Sequence, residues 1–160
     1  MIRSFSLICF CGSIAIAAPV PAPEKSEEIR FQSHSGHFEK NNSGLKGDSS
    51  YLSILDQAAF DKVFGSVPPL GGKKHNWLPQ DAFKTDQVIA VIKRGPSTYT
   101  FSTISVASDA KTITVKFTSK AGDPGAGTAQ FATPMILSIP QMKGREIVFV
   151  ENGKEAAKLK

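Results

Sequence analysis

Residues 87–118 read QVIAVIKRGPSTYTFSTISVASDAKTITVKFT, and the order of side chains in this stretch decides the fold. Val88 to Ile92 is an unbroken apolar run, which suits a strand buried on both faces in the middle of a sheet. Lys93-Arg94-Gly95-Pro96 stops it. Beyond the stop, Tyr99 to Ala107 and Thr112 to Thr118 flank a turn at Ser108-Asp109-Ala110-Lys111. In the second arm Ile113, Val115 and Phe117 alternate with Thr112, Thr114 and Lys116, the period of two expected when one face of a strand is buried.

Working outward, the glycine-rich run Ala121 to Gly127 reads as a loop, followed by apolar stretches at Ala129 to Ile139 and Glu146 to Val150. The last of these runs into Glu151-Asn152-Gly153-Lys154. Asn-Gly tolerates the positive φ angles of a tight turn, so a final strand folding back over Val148 is one expectation. A helical tail over EAAKLK is the other. Upstream, Ile29 and Phe31 alternate with Arg30 and Gln32, a polar run from Ser33 to Ser50 carries little pattern, and Tyr51, Leu52, Ile54 and Leu55 form a further strand. Asp56 then caps a short helix whose Phe60, Val63 and Phe64 share one face, with Gly65 ending it. Val67 to Pro79 has the proline and glycine density of a surface loop.

These elements predict a mainly β (α+β) domain: a β-sandwich-like antiparallel or mixed arrangement of six to seven strands with one short helix near 56–64. Either two sheets pack face to face, or a sheet carries the helix laid across it. No internal repeat is present.

The chain has 160 residues, 41% of them hydrophobic and 21% charged, which is ordinary globular usage and enough for one domain that buries roughly two-thirds of its unfolded surface. Its net charge of +5 is not concentrated as a nucleic-acid grip would be. Arg3, the apolar Phe5 to Ile16 and the small-residue triplet Ala15-Ile16-Ala17 form a secretory signal peptide over 1–17, with cleavage expected after Ala17. The apolar segment is too short to span a bilayer, and no later stretch approaches the required length. Phe10, rather than a small residue, precedes Cys11, which does not fit a lipoprotein signal. Cys9 and Cys11 fall in the removed segment, so the mature chain is expected to have no thiolate, disulfide or cysteine ligand. These readings place the protein in a bacterial periplasm or outside the cell. Residues 18–28, with three prolines followed by charge, read as a disordered tether, and 29–160 as a single β-rich domain.

Three stretches invite chemistry. His34 and His37, together with His75, supply the residue types of a three-nitrogen zinc site, which would make the protein a metal-dependent hydrolase. Residues three apart on a strand face opposite sides, so both could bind one metal only if Gly36 bends the chain; the alternative is solvated loop histidines. Lys73, Lys74 and Trp77 pair basic charge with the single indole, a combination that could grip a single nucleic-acid strand or a sugar. The competing reading makes Trp77 an anchor that ties its loop to the core. Gly122-Asp123-Pro124-Gly125 lies in a glycine-rich loop, but a phosphate cradle needs a helix after it and here a strand follows. A protruding docking loop is the remaining use. No G-x-S-x-G nucleophile elbow occurs.

From Tyr51 to Val150 the pattern resembles the PrcB-like C-terminal domain of exported bacterial proteins. The family is named for a factor that stabilises a surface protease complex. The likeness is carried by YLSILDQAAFDKVFG, by DQVIAVIKRGPSTYTFSTISV, with Gly95, Pro96, Thr98 and Tyr99 at the turn, and by TAQFATPMILSIP, with Thr133, Pro134 and Pro140 on the late strand. GPSTY lacks the paired glycines of that family's turn. The resemblance implies a non-enzymatic module, without cofactor, that docks or stabilises a protein partner such as a protease complex. The contact residues expected are Gly95, Pro96, Thr98, Tyr99 and the loop Gly122 to Gly127.

Overall fold

The computed structural model describes residues 26–68 and 74–160, so residues 1–17, read as a signal peptide, residues 18–25 of the expected tether and Lys73 lie outside the described residues. The described residues form eleven strands, more than the six to seven expected. They are β1 (Glu27–Glu28), β2 (Gln32–His34), β3 (His37–Glu39), β4 (Ser49–Ile54), β5 (Phe64–Ser66), β6 (Asp86–Gly95), β7 (Ser97–Ser108), β8 (Thr112–Pro124), β9 (Phe131–Pro140), β10 (Glu146–Glu151) and β11 (Lys154–Leu159). One helix, α1 (Gln57–Val63), and a 3-10 turn at Ala82–Lys84 complete the set. The surplus strands are only two or three residues long. β2 and β3 lie in polar sequence with no alternation to announce them, and β1 falls inside the stretch read as tether.

Two sheets make the sandwich. One has the order β1-β7-β8-β10-β11 and the other β2-β9-β6-β4, while β3 and β5 form a separate two-stranded ladder. All pairings are antiparallel except β8 with β10, which run parallel because the chain crosses to the opposite sheet as β9 between them. Interior position explains the apolar run of β6: Val88 to Ile92 are all fully buried. Alternation sends Ile89 and Val91 into the space between the sheets, against Ile113, Val115, Phe117, Ile147 and Phe149. Val88, Ala90 and Ile92 point the other way, into a second core with Phe60, Val63 and Phe64. Both expected arrangements are therefore present, as a two-sheet sandwich with the helix laid across the outer face of one sheet. Each large side chain so buried stabilises the fold by about 1.5–3 kcal/mol.

Local chemistry accounts for the ends. Asp56 caps α1, its Oδ1 accepting the Ala59 N–H at 2.8 Å. Gly65 does not end the helix; Phe64 does, by entering β5 directly. Gly65 instead leaves room for the Phe38 ring across the β3–β5 pair, where a Cβ would come within 2.5 Å of it. Asn152 and Gly153 take φ of 50° and 80°, and the tight turn returns β11 over β10 with Val148 opposite Lys158. The last residues are therefore strand rather than helical tail. The glycine-rich loop is also shorter than its composition implies, because β8 runs on through Gly122, Asp123 and Pro124.

Candidate functional site at the open side of the sandwich

The sandwich has two long sides, and they are finished differently. On one, β4 and β11 meet, and beside them the half-buried Glu151 of β10 accepts from Tyr51 Oη at 3.0 Å, pairs with Lys93 Nζ at 2.8 Å and also accepts from Ser119 Oγ. Burial alone would raise the Glu151 pKa, but Lys93, Ser119 and Tyr51 together hold it below its usual value. Burial likewise pulls Lys93 down, and Glu151 and Tyr51 more than reverse it, leaving its pKa raised. The groups satisfy one another across the two sheets as a clamp.

On the other side, β7 and β9 are the facing strands, and only half of it is covered. The segment Glu27–His34 pairs with β7 at Ala107–Ser108 and gives its Ile29 N–H to Val106 at 2.8 Å. It then crosses to β9, pairing at Ile136–Ser138. Beyond those points, among the described residues, Tyr99–Thr103 of β7 and Phe131–Met135 of β9 have no hydrogen-bonded outer strand. Between these edges lies a cavity of about 500 Å³, lined by Phe31, His34, Tyr99, Thr100, Phe101, Thr103, Thr133, Pro134 and Met135 among others. Tyr99 and Phe101 stack with centroids 6.4 Å apart.

The corner of this groove unites the two stretches expected to make contacts. β6 passes to β7 through Gly95-Pro96 while β8 passes to β9 through Gly125, so both sheet-to-sheet connections lie side by side. Ser97 pairs with Pro124 and Tyr99 with Ala121, and the Gly125 N–H donates to the Pro96 carbonyl at 2.8 Å. Gly122 faces Thr98, where an added Cβ would lie 3.4 Å from the Thr98 carbonyl oxygen. Gly125 sits beneath the Phe131 ring. Gly95, Pro96, Thr98 and Tyr99 are thus neighbours of Gly122, Asp123, Pro124 and Gly125, with the difference that the second group is mostly strand end rather than protruding loop.

The three histidines expected as zinc ligands each meet a different neighbour. His34 is buried, with Nε2 2.9 Å from Ser138 Oγ. His37 accepts the Leu78 N–H on Nε2 at 3.2 Å and meets the Phe60 ring edge-on at 5.2 Å. His75 lies beside Trp77 instead. Among the described residues no three His, Cys, Asp or Glu side chains converge to hold a metal ion. Burial lowers the pKa of both His34 and His37, and the His34 charge adds to the effect on His37.

Trp77 lies on the β2–β3 turn rather than in the core. It remains 41% exposed, with its indole and His75 over Gly36, where a Cβ would be 2.6 Å from either ring. The loop is tied by Asn76, whose N–H donates to Ser35 Oγ and whose carbonyl accepts the Ser35 N–H, both at 2.9 Å. Lys74 shares that loop, but no contact assigns it a role. Arg94 was also missed by inspection of the sequence. Its guanidinium bonds both oxygens of Glu39 at 2.7 Å and the Gly47 carbonyl at 2.9 Å, holding the outer ladder to β6. No pattern of spacing marks such pairs, because the partners lie far apart in sequence. Comparison with family models, with curated proteins and with solved structures finds no match for this chain.

Proposed function

We propose that this is an exported, non-catalytic binding module that takes an extended segment of a protein partner along the free edge of β7. The observation that carries the reading is the composition of that edge. Exposed strand edges pair readily with foreign strands, and proteins ordinarily blunt them with charge, proline or bulges. β11, the edge at the other side of the same sheet, carries Lys154, Glu155 and Lys158. On β9, Pro134 interrupts the edge by lacking an N–H donor. Tyr99-Thr-Phe-Ser-Thr103 has neither charge nor proline, and it pairs regularly with β8 between the register shifts at Ser97/Tyr99 and Thr103/Ser105. Such an edge offers main-chain hydrogen bonds for affinity, and the groove between the sheets offers pockets for alternate side chains.

Export rests on the reading of residues 1–17, and a protease complex as partner class rests on the sequence resemblance alone. Binding is tested by the purified protein carrying Thr100→Lys, an exposed position beside the groove, and Thr103→Lys within it. Recovery of the partner from the native host should fall in both while the melting temperature of Thr100→Lys stays unchanged. Undiminished recovery in both variants contradicts the reading. The half-exposed Trp77 favours a second one, a sugar stacked on the indole, and fluorescence that ignores added glycans excludes it.

A further inference from the structure

At the end of the sandwich away from the Gly95-Pro96 corner, the two sheets part around a second cavity of about 620 Å³. Its walls include Leu55, Met142, Ile147 and Leu159. Leu55 is 49% exposed although it continues the inward row of β4, so at this position the apolar lining is left uncovered rather than packed. Gln87, one position before the apolar run of β6, also lines this cavity. It is only 2% exposed, and its Nε2 has no hydrogen-bond partner. A buried amide donor with no acceptor costs free energy, and a ligand acceptor beside it would remove that cost. Lys111, Lys143, Arg145 and Lys160 also line the cavity, against Glu146 as the single carboxylate. Among the described residues none of the four cations forms an ion pair. Arg145 is held in place by Ser108 Oγ and by Met142 Sδ at 3.3 Å.

We infer that this cavity binds a small organic anion: a carboxylate carried on an apolar body. The body lies against Leu55, Met142, Ile147 and Leu159, the lysines neutralise the carboxylate, and one of its oxygens accepts from Gln87 Nε2. The volume is in the range of small-molecule sites, and the combination of mostly apolar walls with a few convergent polar groups is their usual composition. The site is separate from the β7 edge, so it stands or falls independently of the docking reading.

The probe is 4-phenylbutyrate, with 4-phenylbutylamine as the same body bearing the opposite charge. Calorimetric titration of the purified protein should give saturable one-to-one binding of the acid and at least tenfold weaker binding of the amine. Lys111→Glu combined with Lys143→Glu, both surface changes, should weaken the acid at least tenfold. Gln87→Leu removes the orphaned donor, so the free protein should melt at a higher temperature while the rise on adding the acid shrinks. If Gln87→Leu does not fold, the lysine variant alone decides. Failure of the acid to saturate at millimolar concentration, equal binding of the amine, or an affinity unchanged in the lysine variant would overturn the inference.

Discussion

Tyr99 donates its backbone N–H to Oγ1 of Thr133 at 3.1 Å, tying β7 to β9 across the groove. The bond closes the groove at the corner, as the crossing of residues 29–34 closes it at the other end, and the edge between is left free. Thr133→Val keeps the shape and removes the acceptor. The expected loss is about 1 kcal/mol, read as a lower urea midpoint. Faster amide exchange at Tyr99 should accompany it, with exchange at Ile29 unchanged.

The two faces of β6 make the core an unusually clear test of alternation. Ile89 is fully buried between the sheets, so Ile89→Ala should cost about 2–5 kcal/mol through lost transfer energy and a residual cavity. Ile104, of the same residue type but 61% exposed on β7, should tolerate threonine within about 0.5 kcal/mol. Denaturant unfolding of the two variants side by side checks both values.

The acid limb of the stability curve should begin with histidine rather than carboxylate. His34 and His37 have pKa values below the usual 6.5 because burial disfavours the imidazolium. Between that value and their folded values the unfolded chain binds more protons, so stability is complete above 6.5 and falls as the pH drops below it. Unfolding measured from pH 8 to pH 5 should show this slope. His34→Gln should flatten it, and a slope unchanged in that variant counts against buried neutral histidine.

Glu151 gives a second, lower phase. Its depressed pKa means that its contribution is present above the usual carboxylate value of 4.5 and is lost as the pH falls through the folded value. Glu151→Gln should leave Lys93 half-buried without its counter-charge, costing about 1–3 kcal/mol at neutral pH. The same substitution should cost less at a pH low enough to protonate the Glu151 carboxyl of the unsubstituted protein, and urea midpoints at neutral and acid pH measure the difference.

Legibility in the sequence followed length and periodicity. The apolar run 88–92, the hairpin around Asp109, the Asp56 cap and the Asn-Gly turn each satisfy a local rule, and each folds as that rule requires. β1, β2 and β3 were unreadable because two or three residues are too few to show a period. The extent of β8 was hidden because Gly122-Asp123-Pro124 has loop composition, yet pairing with Ser97 to Tyr99 keeps it extended. Of the candidate sites, the neighbourhood of Gly95-Tyr99 and Gly122-Gly125 was named residue by residue, though not the free edge beside it. An edge is a property of the assembled sheet. Gln87 likewise acquires meaning only once the sheets part around it.

The free edge itself admits one direct measurement. A photoreactive benzoylphenylalanine placed at Thr100, beside the groove, or at Glu155, on the charged edge of β11, is irradiated in the native host. A crosslinked partner captured from Thr100 and not from Glu155 is the predicted result. Monomer alone from both positions, or the same partner captured equally from Glu155, would contradict docking on β7.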